Sequence, residues 1–301
     1  MRVIFIAFAS FMIAAIPAGA TAGQEKDVKV EGGLAEVNLD GFAAWTKNPE
    51  LDLEKGKWWV RTFCWTIGAD CPDDLKLSRA EWDEDGVILL RAEDDDTKDM
   101  GCDCAAMTQG TGFDGSVRGD PLTRLRTGDV EAAYVRFHRS NAGAASCTGV
   151  TGAGNIINLW LRHPDGAIWV TDFYFETEGL NAGFDERPGP HNPLISKEKG
   201  VDWYAYQVLI KNFPEYWTKT THPDGSEHWT IDLKGLLDRG AAFSERKLDD
   251  YLWYYVDVVS EDVCYKGMVG ESAAWQTVHY FEILVKTHER RGGPSGGDAA
   301  K

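Results

Sequence analysis

Eight short runs of alternating polarity constrain this chain most: "GVILLRAE", "VEAAYVRFH", "NIINLWLRH", "AIWVTDFYFE", "WYAYQVLI", "EHWTIDL", "YLWYYVDVV" and "QTVHYFEILVK". An extended strand sends successive side chains to opposite faces, so a period of two with one apolar face marks a strand packed on a core. Turn residues separate the runs. His-Pro-Asp-Gly occurs at residues 163–166 and again at 222–225, and Asp-Glu-Asp-Gly at 83–86. Pro, Asp and Gly in that order are hairpin chemistry: a preset φ, a carboxylate that bonds back to the chain, and a residue free to take positive φ. Only "DLKGLLDRGAAFSER" spaces its apolar residues as a helix does. The pattern predicts an all-β fold, a two-sheet antiparallel β-sandwich with one short helix near the C-terminal third. Phe173, Phe175, Val256 and Val258 are expected between the sheets.

The chain begins with "MRVIFIAFASFMIAAIPAGA", an early arginine followed by an apolar run that ends in small residues. This predicts a signal peptide over residues 1–22, then a single β-sandwich domain over 23–288 and a flexible tail over 289–301. No later segment approaches the roughly 20 apolar residues of a membrane span. The expected destination is therefore outside the cytoplasm, secreted or periplasmic, as a monomer without membrane attachment. All six cysteines (Cys64, Cys71, Cys102, Cys104, Cys147 and Cys264) lie in the mature part, and an even count in an exported chain predicts disulfides. Cys102 and Cys104 are too close to pair easily with each other, and no second pair has the spacing of a zinc site. The sequence does not define the pairing.

Thirty-one basic against 48 acidic residues leave a formal charge of −17. Such a surface repels nucleic acid and polyanionic polymers and suits a neutral substrate, or calcium. Twelve Trp, ten Tyr and 13 Phe are rich for this length; part of that supply fills a core, and aromatic rings are also one way proteins hold sugars. No cofactor is expected. "DEDG" and "EDDDTKD" are only loosely like calcium loops, so a structural calcium stays open while no metal ligand is assigned.

Strict alternation puts Asp172, Tyr174, Glu176 and Glu178 on one face of "WVTDFYFETEG", with Trp169, Thr171, Phe173 and Phe175 on the other. In "YLWYYVDVVSE" it groups Tyr251, Trp253, Tyr255, Asp257 and Glu261 opposite Leu252, Tyr254, Val256 and Val258. An apolar face backed by aromatics and carboxylates suits a glycan cleft. Rings stack on sugar faces, carboxylates bond to hydroxyls, and two carboxyls about 5–9.5 Å apart can cleave a glycosidic bond.

The order "GDVEAAYVRF", "NIINLWL", "TDFYFETEG" resembles glycoside hydrolase family 16. That resemblance makes Glu176 the general acid/base and puts Thr171 and Phe173 where the family has its nucleophilic glutamate and central aspartate. "IDLKGLLDRGAAFSERKLDDYLWYYVDVVSE" is similar to the end of family 12, which makes Glu261 the general acid/base and sets Ile156, with Asn158 beside it, at the nucleophile's place. Both families fold as concanavalin A-like jelly rolls, and neither motif is intact here. The expected protein is an endo-acting glycoside hydrolase on a neutral polysaccharide or oligosaccharide. Its catalytic candidates are Glu176, Asp172 and Glu261. Its substrate-binding candidates are Tyr174, Trp160, Asn158, Trp253, Tyr255, Asp257 and Glu178. A non-catalytic, lectin-like module is the alternative. A polysaccharide lyase using Arg136, His138 and Arg139 is a more distant one. The even cysteine count generates its own expectation: thiol titration of the unfolded, unreduced mature chain should find no free thiol, and two or more per chain would refute complete pairing.

Overall fold

The computed structural model describes residues 28–48, 58–66, 78–83, 88–94, 101–111, 117–118, 124–145, 152–179, 184–190, 202–264 and 272–288. The strands are β1 (Lys29–Gly32), β2 (Ala43–Asn48), β3 (Trp59–Thr66), β4 (Arg79–Trp82), β5 (Ile88–Asp94), β6 (Gly101–Thr111), β7 (Val117–Arg118), β8 (Leu125–Arg126), β9 (Val130–Ala145), β10 (Gly152–Arg162), β11 (Ile168–Gly179), β12 (Glu186–Pro190), β13 (Trp203–Leu209), β14 (Trp217–Thr221), β15 (Glu227–Asp232), β16 (Leu252–Cys264) and β17 (Ser272–Thr287). One α-helix, α1 (Leu233–Phe243), follows β15. The repeated His-Pro-Asp-Gly turns close β10 on β11 and β14 on β15. In each the Asp accepts from the backbone N–H two residues on, and the Gly, Gly166 or Gly225, takes positive φ.

The first sheet runs β1-β14-β15-β9-β17-β5-β4, with β2 also along β17. The second runs β12-β13-β11-β10-β16-β6-β3, with β7 on β6 and β8 on β16. The pairing is antiparallel except for β11 with β13. Between the sheets lie Val135, Phe137, Trp229 and Phe281 from the first, and Ile157, Leu159, Phe173, Phe175, Val256 and Val258 from the second. The two-sheet, mostly antiparallel sandwich and the inward placement of Phe173, Phe175, Val256 and Val258 are as the alternation requires. The predicted helix is shorter than its sequence signal. Asp232 caps it by accepting from Gly235 N, and Leu233, Leu236, Leu237 and Gly240 are its buried face. A Cβ at Gly240 would lie 2.4 Å from the Tyr206 ring, so only glycine lets α1 sit this close to β13.

In the second sheet two bulges break the alternation among the described residues. Asn155 pairs with Glu176 but Ile156 with Tyr174, leaving Phe175 as the extra residue of β11. Trp160 pairs with Tyr255 but Leu161 with Trp253, leaving Tyr254 as the extra residue of β16. A bulge inserts one residue on one strand and so shifts the parity of everything beyond it. Phe175 and Glu176 consequently both face the first sheet.

There Glu176 meets Arg139 of β9, a side chain with no exposed surface. Arg139 Nη1 donates to Glu176 Oε2 at 3.0 Å and Nη2 to Oε1, while Nε reaches Glu227 Oε2 on β15 at 2.9 Å. Burial alone would lower the Arg139 pKa, but Glu176 and Glu227 reverse that and hold the guanidinium charged. Its plane also lies 4.7 Å from the Phe175 ring centre. Glu227 is further bound by Lys219 and Trp229 Nε1, and Asn155 Nδ2 donates to Glu176 at 3.1 Å.

The signal-peptide expectation and the C-terminal tail fall outside the described residues. So do the side chains of every cysteine except Cys104, which is buried. No helix among the described residues is long and apolar enough to cross a membrane. Arg139→Ala would leave two partly buried carboxylates facing each other without their cation. It should cost about 3–5 kcal/mol, the range for stripping one partner from a buried pair, measured as a drop in denaturant midpoint; a loss below about 1 kcal/mol would show that the inter-sheet pair contributes little.

Candidate functional site

The face of the second sheet turned away from the first carries a row of polar residues directly across six strands. Arg187 of β12 pairs with Gln207 of β13, Gln207 with Asp172 of β11, Asp172 with Asn158 of β10, Asn158 with Asp257 of β16, and Asp257 with Thr108 of β6. The even and odd positions that bring them into line follow from strand parity, but their alignment depends on register. Apolar clusters flank the row on both sides. Toward one end lie Ala106, Val259, Ile156, Tyr174 and Leu209. Toward the other lie Tyr255, Trp160, Val170 and Ala205, with Trp203 packed against them.

The row is bonded along its length. Asn158 Nδ2 donates to Asp172 Oδ1 at 2.8 Å and Gln207 Nε2 to Asp172 Oδ2 at 3.1 Å. Arg187 Nε donates to Gln207 Oε1. Thr108 Oγ1 and Trp160 Nε1 both donate to Asp257, the latter at 2.9 Å. Gln207 Nε2 also reaches the Tyr174 hydroxyl at 3.3 Å, and Tyr174 donates in turn to Glu261 Oε1 at 3.0 Å. Gly154 makes that last contact sterically feasible. It lies opposite Glu261 on β10, and a Cβ there would come within 3.2 Å of the Tyr174 ring. The missing side chain lets the phenol cross β10 and reach β16.

Asp172 is 2% exposed. Burial first, and then the charge of Glu261, push its pKa up to about 7, against the opposing effect of its amide donors and Arg187. Burial likewise raises Tyr174 well above its ordinary value, with Glu261 and Asp172 adding to the effect; Tyr174 therefore stays a proton donor. Contacts of 3.1, 3.3 and 3.0 Å in series cap the distance between an Asp172 oxygen and a Glu261 oxygen at about 9.4 Å. Two carboxyls within that span can flank a glycosidic bond. They differ in environment: Asp172 is buried with its pKa raised to about 7, and Glu261 is half-buried and hydrogen-bonded from a phenol.

The sequence candidates divide. Asp172, Tyr174, Asn158, Asp257 and Glu261 share this outer face. Glu176 does not: the Phe175 bulge turns it inward onto Arg139. Glu178, two residues further and exposed, follows the same inward parity. Trp253 is completely buried in the core, because the Tyr254 bulge shifts it off the face of Tyr255 and Asp257. Trp160 and Tyr255 are on the outer face, but they stack on each other at 5.1 Å and 16° and are 2% and 5% exposed. They make an apolar patch there and not an open platform. Arg136, His138 and Arg139 do not converge either. Arg139 points into the sandwich, whereas His138 packs against His228 and His279 on the first sheet's outer face. Sequence reasoning missed Gln207, Thr108 and Arg187. Each sits on its own strand, and only the cross-strand register could have joined them. No group of three or more His, Cys, Asp or Glu among the described residues is arranged to hold a metal ion.

The chain matches no protein-family model and no curated protein. Among solved structures it is similar to endoglucanase cel12A from Rhodothermus marinus, at 11% identity and a TM-score of 0.43 over 82% of this chain and 98% of that one. It is also similar to a metagenome-derived glycoside hydrolase family 12 endoglucanase, at 13% identity and 0.44 over 87% and 99%. A third is the family 11 xylanase from Neocallimastix patriciarum, at 10% and 0.41 over 75% and 100%. All three are jelly-roll glycoside hydrolases.

A carboxyl whose folded pKa lies above its unfolded value adds stability at low pH and loses it as pH rises through the folded value. For Asp172 that window runs from about 4 to about 7. Asp172→Asn, which cannot ionise, should therefore gain on wild type as pH rises from 4 to 8, by up to roughly 4 kcal/mol. Melting curves across that range check this, and a difference that is flat with pH would contradict it.

Proposed function

We propose that the protein is an exported, endo-acting glycoside hydrolase whose substrate is a polysaccharide without anionic groups, cleaved on the outer face of the second sheet. The observation that carries this reading is the coupled pair Asp172 and Glu261, joined through Gln207 and Tyr174. Asp172, whose pKa is raised to about 7, gives its proton in the protonated form to the leaving glycosidic oxygen. Glu261 takes a proton from the attacking water, which bonds to the anomeric carbon as the glycosidic bond breaks. Such a step needs the carboxyls about 6.5–9.5 Å apart, which leaves room for the water and gives inversion, and the cap of about 9.4 Å admits that separation. Tyr174 positions Glu261, and Gln207 with Asn158 positions Asp172. The leader-like residues 1–22 and the charge of −17 support export and a substrate free of negative charge. The reading involves no cofactor and no metal, and it needs only one copy of the chain.

A panel of polysaccharides assayed for new reducing ends tests this. Asp172→Asn and Glu261→Gln should each lower turnover by about 10²–10⁴-fold, the usual contribution of a general acid or base. Glu176→Gln should retain turnover in whatever fraction stays folded. Wild-type activity should fall as pH rises through about 7, because Asp172 then loses the proton it must donate. Tight glycan binding with no reducing ends would favour the lectin-like alternative, and full activity in Asp172→Asn would overturn the assignment.

A further inference from the structure

The outer face of the first sheet, on the far side of the sandwich from the polar row, holds an open groove of about 480 Å³, within the size range of ligand sites. Register lines its residues up across four strands. Thr220 of β14 pairs with His228 of β15, His228 with His138 of β9, and His138 with Tyr280 of β17. Thr230 and Arg136 pair beside them. Phe137, Trp229 and Phe281, their neighbours in the chain, belong to the core between the sheets, so alternation turns the groove residues outward. Three strand spacings give the groove a length of about 14 Å. His228 and Arg136 are exposed and the other four are half-buried, so a ligand can reach them. The rings of His222, His228, His138 and His279 follow one another at 4.6, 3.9 and 4.6 Å between centres. They form a strip of flat rings, and no such group among the described residues is placed to hold a metal ion.

The lining both gives and takes hydrogen bonds. A threonine or tyrosine hydroxyl does both, and a neutral imidazole has one nitrogen for each role. The Thr220 and Thr230 hydroxyls make no hydrogen bond among the described residues. Arg136 alone can only donate. Its Nη1 bonds to the buried Glu282 at 3.0 Å while its side chain stays 50% exposed, so its charge is already matched within the protein. An anion would meet that matched arginine on a chain of charge −17. A cation would find no carboxylate among the lining residues. A ligand rich in hydroxyls asks for donors and acceptors together, and this lining supplies both. We propose that the groove is a second carbohydrate-binding site, which takes a short segment of a neutral glycan on Thr220, Thr230, Arg136 and the exposed ring of His228. The hydrolase reading above supplies only the kind of polymer. The sheets of a sandwich lie about 10 Å apart, and the groove and the row are on opposite faces of it. The segment held in the groove is therefore not the segment that is cut. It tethers the protein to its polymer and raises the effective concentration of other segments at the second sheet.

The ring signals of His138 and His228 in side-chain NMR report on the groove directly. In Asp172→Asn, chosen so that the ligand stays intact, a β-1,4-linked glucose hexamer at about 1 mM should shift them. A galacturonate hexamer and a glucosamine hexamer, one anionic and one cationic, should shift them less. Thr220→Val with Thr230→Val keeps the strand preference and should weaken glucose-hexamer binding about tenfold, as two neutral hydrogen bonds predict. With Asp172 intact, the same double change should leave kcat/KM on the soluble hexamer unchanged and lower turnover of an insoluble β-1,4-glucan severalfold. His228→Ala, at an exposed position, should act in the same direction and covers the case in which the double variant does not fold. Unshifted rings, or variants that bind as wild type does, overturn the groove and leave the hydrolase reading to stand on its reducing ends. Stronger binding of either charged hexamer overturns the neutral class. Shifted rings, weakened by the variants, with no reducing ends from any polysaccharide support the groove and overturn the hydrolase reading.

Discussion

The buried guanidinium of Arg139 is the constraint around which one end of the sandwich is arranged. An unpaired charge in that position would be very costly, and two carboxylates from two different sheets remove the cost only if both sheets are in register with it. Glu227 arrives by ordinary alternation on β15. Glu176 arrives only because Phe175 is bulged out of pairing, which turns the next residue inward. The pair therefore links the stacking of the sheets to a local defect in one strand. Asn155 and Ser260 extend the polar network onto β10 and β16, the same strands that carry the outer-face row.

That row depends on the same strands from their other side. Its carboxyls lie between two apolar clusters, so water is largely excluded and hydrogen bonds within the row are stronger than they would be at a surface. The exclusion raises the Asp172 pKa to about 7. Glu261 affects Asp172 from two strands away because Tyr174 spans the gap that Gly154 leaves open. Asp172 and Glu261 are thus set apart by burial and linked through Gln207 and one phenol. The two sheets contribute unequally: the first supplies a counter-surface and the Arg139 anchor, the second every residue of the outer-face row.

Much of this was legible in the sequence. The strand-rich sandwich, the hairpin turns, the inward aromatics and the helix after β15 all follow from period, turn chemistry and capping, which act over a few residues. Asp172, Tyr174 and Asp257 were legible as outer-face residues for the same reason. Glu176 and Trp253 were misplaced by extrapolating alternation through Phe175 and Tyr254, where one inserted residue reverses parity without any change in composition. Gln207, Thr108 and Arg187 left no local trace, since a row across a sheet is a property of register between strands far apart in the chain. The aromatic stacking of Trp160 on Tyr255 was hidden likewise: a ring on an outer face can be a platform or a small second core, and only its neighbours decide.

The bulge at Phe175 has a consequence for how such a protein diverges. Deleting that one residue would restore simple alternation beyond Tyr174 and move Glu176 to the opposite surface of the sheet, with every other side chain chemically unchanged. A single codon lost or gained can thus relocate a carboxylate from an anchoring position to a solvent-facing one. In lineages of sandwich folds, reactive groups can therefore migrate between surfaces through insertions and deletions. Residue-by-residue comparison of two such chains would register that as the loss of a motif when the group has only changed sides.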